Sequence, residues 1–341
     1  MVLTRRAYKS IARWLPNEVI TEIIQAAPPR DQASLCRTTK LFEGLGVPIL
    51  YRVVNLQVED AESIEAFCST IASHTSKFAK LVRSFTANAN LMYYTELDGL
   101  NAPLWECVKT LFNLEKLRIR GSLAYGHGVP EWLSLTFPRL DHGELYVTGR
   151  DWTSKERRGT LASFLLRHPA LKSVRITDFI SLELWPPTAT RIPLHDLQRI
   201  WAPPTVFPAL VVDDLREVRL DWQCDYEVNM TPAEPTFIAL SAMARDGPPD
   251  KIPHVKKHLP RFTHLEFFAF ESLDEVDGRL TFGETEAEDQ LTVHDFGDLC
   301  PTLQACRLSK NAWRRVNGTW ERFPADDFLA RAGITLVDLS E

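Results

Sequence analysis

His254 and His258 stand four residues apart, the spacing at which two imidazoles share a helix face and can hold zinc, and His264 follows. No carboxylate or thiolate joins them at a useful spacing, and Lys256 and Lys257 between them mark a solvated stretch, so no metal is expected. The acidic run ETEAED at residues 284–289 lacks the spaced oxygens and the turn glycine of a calcium loop, and reads as a surface loop. Six cysteines, Cys36, Cys68, Cys107, Cys224, Cys300 and Cys306, form no C-x-x-C pair. That excludes zinc ribbons and thioredoxin-type dithiols and leaves buried free thiols in a reducing compartment. The sequence has no G-x-S-x-G, no G-x-x-x-x-G-K and no G-x-G-x-x-G, and YGHGVP at residues 125–130 is merely a loop. The expectation is a protein without catalytic residues or cofactor.

A second set of residues recurs at one place in a repeated pattern. Thr86, Arg118, Arg175, Trp201, Arg219, Glu266 and Arg307 each stand between the last two apolar positions of the pattern apolar-x-x-apolar-x-apolar. Strand side chains alternate, so this column should point away from the apolar side. Arg118, Arg175, Arg219 and Arg307 with Trp201 make a candidate substrate-binding surface. Guanidinium suits bidentate capture of carboxylate or phosphate, so the expected target is an acidic or phosphorylated protein. Pairing with neighbours such as Glu115, Glu217 and Asp221 is the competing reading.

The pattern itself defines the elements. It runs through Val82, Phe85 and Ala87; Leu114, Leu117 and Ile119; Leu171, Val174 and Ile176; Leu215, Val218 and Leu220; Phe262, Leu265 and Phe267; and Leu303, Cys306 and Leu308. Leu197, Ile200 and Ala202 give a weaker copy, and a further one around Leu140, Leu145 and Val147 would add Tyr146 to the column. Helical stretches separate the copies, most often roughly 26–32 residues apart, a period at which strand-helix units stack to share one core. This resembles an irregular leucine-rich-repeat solenoid over residues 52–341, with a doubly wound α/β domain as the alternative. Segments 223–236 and 271–290 read as insertions, and Asn317-Gly318 predicts a hairpin capping the last repeat.

Ahead of the repeats the pattern is helical. Leu15, Val19, Ile20, Ile23 and Ile24 lie along one helix face, and Pro28-Pro29 ends that helix. Asp31 is a candidate N-cap for a short helix through Cys36. A third helix spans roughly Thr39 to Leu45, stopped by Gly46 and Pro48, and ILYRVVNL then reads as a strand. The expected split has Ile24 and Leu41 pointing inward, and Leu15, Pro16, Ile20 and Phe42 outward.

The segment LPNEVITEIIQAAPPRDQASLCRTTKLFEGLGVPILYR resembles an F-box of the kind found at the N-terminus of many fungal F-box proteins. Leu15-Pro16, Glu18, Ile23-Ile24, Pro29, Asp31, Leu35-Cys36-Arg37, Lys40, Phe42 and the PILYR exit carry the likeness. Ala27, Gln32 and Thr38 depart from the family's Leu, Leu and Val. The resemblance implies a small three-helix F-box at residues 14–51, docking on a Skp-type adaptor and through it on a cullin. The docking surface would be Leu15, Pro16, Val19, Ile20, Ile23, Leu35, Thr39 and Phe42. The implied role is substrate receptor of an SCF-type ubiquitin ligase. A repeat scaffold without ligase recruitment, or an α/β enzyme, are the alternatives.

Composition agrees with an ordinary folded protein: 341 residues, 45% hydrophobic and 25% charged, with a net charge of −6. That balance gives no reason to expect nucleic-acid binding, and no apolar run reaches membrane-spanning length. Residues 1–13 carry Arg5, Arg6, Lys9 and Arg13 and read as a solvated basic tail, with a targeting presequence as the alternative. A cytoplasmic or nuclear location is expected.

Overall fold

Asn17–Ala26 (α1) is the first helix of the computed structural model. The structure describes residues 15–56, 61–73, 77–88, 104–120, 131–147, 155–178, 191–202, 206, 209–222, 235, 237–242, 251–272, 286–308 and 311–332. The basic tail at 1–13, the loop at 125–130 and most of the two insertions lie outside these residues. Pro16 occupies the N-cap of α1, and the helix ends where Ala27 turns extended ahead of Pro28. Pro29–Cys36 (α2) follows with Pro28 at its N-cap and Pro29 in its first turn. Asp31 is therefore not the cap; its carboxylate sits in the first turn, near the positive end of the helix dipole.

Lys40–Leu50 (α3) starts from Thr39, whose hydroxyl accepts from the Phe42 amide at 3.2 Å. It runs on past Gly46 and Pro48, where the sequence places its end. Pro48 lies in the last turn and is exposed, and the Tyr51 amide still reaches the Val47 carbonyl at 3.1 Å, so the helix closes around it. Gly46 is needed for packing: a Cβ there would lie 2.5 Å from the Cys36 Sγ and 3.7 Å from the Ile24 side chain. Only Val53–Leu56 (β1) of the predicted ILYRVVNL strand is extended.

The chain is a mixed α/β protein built on mostly parallel strands. It divides into two compact units, Met1–Arg118 with Phe137–Arg139, and Ile119–Thr136 with Leu140–Glu341. In the first unit the helices belong with β1, Ala61–Ser73 (α4), Ser84–Asn88 (β2) and the start of Lys116–Arg120 (β3). β1 and β2 pair in parallel, with Val54 beside Phe85. The Glu115 and Lys116 amides donate to the Arg83 carbonyl at 2.8 and 2.9 Å. Val82 and Phe85 are fully buried, as the repeated apolar pattern requires.

The second unit holds His142–Val147 (β4), Lys155–Leu166 (α5), Ser173–Asp178 (β5), Ile192–Pro193 (β6), Arg199–Ala202 (β7), Leu210–Val211 (β8) and Glu217–Trp222 (β9). Phe237–Ala242 (β10), Lys251–His258 (α6), Phe267–Ser272 (β11), Glu286–Leu299 (α7), Ala305–Leu308 (β12), Asn311–Val316 (β13), Thr319–Phe323 (β14) and Asp326–Arg331 (α8) complete it. Its main sheet runs β4-β5-β7-β9-β10-β11-β12-β13-β14, while β6 and β8 form a small separate pair. Pairing is parallel as far as β12. The β13–β14 hairpin then returns antiparallel. Asn317 (φ 52°) and Gly318 (φ 84°) both take the left-handed conformation its two-residue turn demands.

Three sequence expectations need correction here. The copy at FTHLEFFAF is framed by Leu265, Phe268 and Phe270, three residues later than predicted, because Phe268 is the ring that packs on Phe296 of α7 at 5.3 Å. The copy near Leu140 has Gly143 at its second apolar position, so Glu144 and not Tyr146 stands beside Arg175. The acidic run read as a loop enters α7 at Glu286, and Asp289, 4% exposed, accepts from the Asn311 side-chain amide at 3.0 Å.

After α5, His168 is buried, its Nδ1 2.7 Å from the Phe164 carbonyl and its ring 4.2 Å from the Phe164 ring. Burial holds the imidazole below its ordinary pKa, and the Arg167 charge acts the same way against the hydrogen bond. The unfolded chain therefore binds this proton more readily than the folded one. Stability is complete above the unfolded value of about 6.5 and falls as pH drops toward the lower folded value. Thermal melts from pH 7.5 to 5 should show a decline that His168→Phe flattens; an unchanged slope in the variant would assign the acid sensitivity elsewhere.

Candidate functional site

Helix α1 carries two apolar stripes side by side. Ile20 and Ile24, four apart, turn inward and are 2% and 0% exposed. Leu15, Val19 and Ile23, also four apart, lie one position back on the helical wheel and stay uncovered, Ile23 at 50%. Leu41 of α3 adds another exposed aliphatic. Pro16 is exposed, while Leu35, Thr39 and Phe42 are half-buried. Ile20 and Leu41 are thus reversed from the expected split: the chain itself encloses Ile20, and Leu41 faces out. Gln32 is 8% exposed and donates from Nε2 to the Ala27 carbonyl at 2.8 Å, closing the end of α1.

The second candidate surface is one side of the second unit's sheet. Parallel register places Glu144, Arg175, Trp201, Arg219, Ala239, Ala269 and Arg307 in one row, with Ala312 of β13 beside Arg307. A neighbouring row two residues earlier on each strand holds His142, Ser173, Arg199, Glu217, Phe237, Phe267 and Ala305. The alternate residues Leu145, Val174, Ile176, Ile200, Ala202 and Val218 are buried on the opposite side. Glu266 does not join the column; it precedes β11, and its carbonyl accepts from the Gln304 and Ala305 amides at 2.8 and 3.1 Å. Arg118 lies half-buried on β3 at the end of the first unit.

From β4 to β9 this side is a mosaic of compensated charge. The Arg175 guanidinium stacks 3.5 Å over the Trp201 ring and pairs with Glu144 at 3.3 Å. Arg219, 8% exposed, lies 5.4 Å from the same ring and donates from Nε to Glu217 at 2.7 Å. His142 meets the Asp141 carboxylate at 2.6 Å through Nδ1, and its Nε2 lies 3.1 Å from the Arg199 guanidinium. Arginine has no acceptor, so that contact makes Nε2 the unprotonated nitrogen. The column is therefore not a bare basic stripe: Arg175 and Arg219 are matched by glutamates of the protein itself. Glu217 sits two residues before Arg219 on one strand, so strand alternation puts them on one side, and the pairing with Glu217 expected from the sequence is present. Glu144–Arg175 needs the cross-strand register.

Because the Arg219–Glu217 pair is almost enclosed, removing one partner strands the other charge. Arg219→Ala is expected to cost about 2–4 kcal/mol in chemical denaturation, and Arg219→Met less, since it restores the packed volume. A loss below about 0.5 kcal/mol for alanine would show the pair to be dispensable for folding.

From β10 onward the same side carries an apolar cluster that is already covered. Ala239, Ala269, Ala305 and Ala312 form a floor on which Phe328 and Leu329 of α8 lie with Phe323. Phe267 meets the Phe328 ring edge-on at 6.3 Å. Small side chains on four adjacent strands leave the depth a phenylalanine ring occupies. Arg307, between Ala269 and Ala312 in register, stands among these alanines and not in the charged mosaic.

Among the described residues no cluster of three His, Cys, Asp or Glu could hold a metal ion, and no helix is long and apolar enough to cross a membrane. No protein-family model and no curated protein matches the chain.

Proposed function

We propose that the chain is a non-enzymatic adaptor: its N-terminal helices dock on a Skp-type adaptor, and through it a cullin, while the second unit's strand face holds a target protein for ubiquitination. The observation that supports this reading is the exposed apolar run Leu15, Val19 and Ile23 at and just ahead of α1, with Leu41 of α3 also exposed, while Ile20 and Ile24 of the same helix are enclosed. Burying each such residue is worth roughly 1.5–3 kcal/mol, so a covering partner gains substantially. The likeness of residues 14–51 to an F-box selects the partner. The adaptor supplies proximity, raising the effective concentration of the target's lysines near the ubiquitin-charged enzyme.

The target chemistry is revised from the sequence expectation. With Glu144 and Glu217 already against Arg175 and Arg219, an acidic or phosphorylated segment meets no surplus of positive charge. A target offering shape and stacking to the Trp201 region fits better. An enzymatic reading draws on the gathering of ionisable groups from four strands. It is weaker, because these groups are already paired with one another. The test is gel filtration of the purified chain with a purified Skp-type adaptor. Co-elution at equal stoichiometry supports the proposal; separate elution of two folded proteins overturns it in favour of a repeat scaffold.

A further inference from the structure

The strands of the first unit present an outward side unlike the compensated face of the second. β1 lies beside β2, and β2 beside β3. β1 pairs with β2 so that Val53 stands beside Ser84 and Asn55 beside Thr86. The Arg83 and Ser84 amides donate to the Arg52 carbonyl, and the Glu115 and Lys116 amides donate in the same way to the Arg83 carbonyl. The repeated bonding carries the register one strand further, to Ser84 beside Lys116 and Thr86 beside Arg118. The alternate residues Val54, Leu56, Phe85, Ala87 and Leu117 are buried. The two rows Val53–Ser84–Lys116 and Asn55–Thr86–Arg118 therefore share the outward side. Neither row contains a carboxylate. Where the second unit sets Glu144 and Glu217 against Arg175 and Arg219, this side offers two cations, two hydroxyls and an amide. Lys116 is exposed, and among the described residues no carboxylate pairs with it. Glu115, its neighbour in sequence, meets the Arg83 guanidinium at 3.4 Å.

We propose that this side of β1–β3 binds an extended acidic segment of a target protein, with carboxylates on alternate residues. Two residues of a strand advance about 6.6 Å. That spacing separates the Lys116 and Arg118 positions, and it also separates alternate side chains of any extended chain lying along β3. An acidic-x-acidic stretch thus meets both cations at once. Arg118 suits a bidentate grip on one carboxylate, and Lys116 holds the other as a point charge. Ser84 and Thr86, about 4.8 Å away on β2, offer hydroxyls to the remaining oxygens. A single phosphate concentrates its charge at one point and matches one of the two positions. A nucleic acid is disfavoured by the chain's net charge of −6. This capture refines the target-holding half of the proposed function and rests on it only for the target's being a protein. β3 and α1 are separate elements, so either binding can fail alone.

The test is fluorescence anisotropy of the full chain with the labelled peptide Gly-Ser-Glu-Val-Glu-Val-Ser-Gly. It should bind at least about tenfold tighter than the same peptide with glutamine at both acidic positions. It should also bind at least about threefold tighter than Gly-Ser-Glu-Glu-Val-Val-Ser-Gly, whose carboxylates are adjacent, and should weaken as sodium chloride is added. Lys116→Glu should reduce the preference for glutamate over glutamine to about twofold or less. Because Lys116 is exposed, that variant should melt within about 2 °C of the parent. Equal affinity for the glutamate and glutamine peptides would overturn the proposal, and this comparison needs only the parent chain. So would a preference unchanged by Lys116→Glu. Tighter binding of a peptide carrying one phosphothreonine and no glutamate, or of labelled oligothymidylate, would assign the surface to a different anion and overturn it too.

Discussion

Ile23→Asp is expected to abolish co-elution with a Skp-type adaptor while leaving the chain as stable as the parent within about 0.5 kcal/mol. Ile23 is half exposed and turns away from Ile20 and Ile24, so a carboxylate there stays in water in the free chain and costs the fold little. In the complex the same carboxylate would be desolvated against an apolar partner surface. Losing the aliphatic burial and stranding a charge together weaken binding by at least about a hundredfold. Ile20→Asp is the informative contrast. At 2% exposure its carboxylate would enter the core of the three-helix packing, at a cost of about 4 kcal/mol or more, and binding would be lost through unfolding. Circular dichroism melts beside gel filtration separate the two. Adaptor binding that survives Ile23→Asp, or an Ile23→Asp chain that unfolds, would remove the α1 stripe as the docking surface.

Phe328→Ala should produce the largest stability loss outside the first unit, about 3–5 kcal/mol. The ring is fully buried between the alanine floor and Phe323, and it meets the Phe267 ring edge-on. A helix as short as α8 has little hold without it. Removal should free residues 326–331 and speed hydrogen exchange along β10 and β11, where the sheet would gain a wet side. A loss of unfolding free energy below about 1 kcal/mol, with unchanged exchange at those strands, would mean that α8 contributes no cover.

The apolar pattern of the strands was readable because each parallel strand must present two alternate residues to the same core, three residues after an entering leucine. Leu171, Val174 and Ile176, and Leu303, Cys306 and Leu308, are buried as that spacing requires. It failed where chemistry disguised the positions. Pro235 takes the entering place ahead of β10 and hides that strand from the apolar pattern, and the crowded phenylalanines near β11 offer two frames that only packing on Phe296 distinguishes. Gly46 and Pro48 mark a helix end by local propensity, yet the helix runs through both, with Gly46 packed closely against Cys36. In the column of arginines the Glu217 partner of Arg219 is legible in the sequence, whereas the Glu144 partner of Arg175 is not. Which carboxylate meets which guanidinium depends on strand register, and glycine at position 143 erased the mark that sets it. The α1 stripe was legible as apolar. Its division between core and solvent was not, since Ile20 and Ile23 differ in sequence by nothing except their angle around the helix.

The charges around Trp201 alternate in sign over a few ångströms, so their fields cancel a short way into the solvent. A molecule approaching that face feels almost no long-range pull, and its encounter rate should be that of ordinary unsteered diffusion. Added salt then has little to screen, and whatever settles there is retained by fit at contact distance.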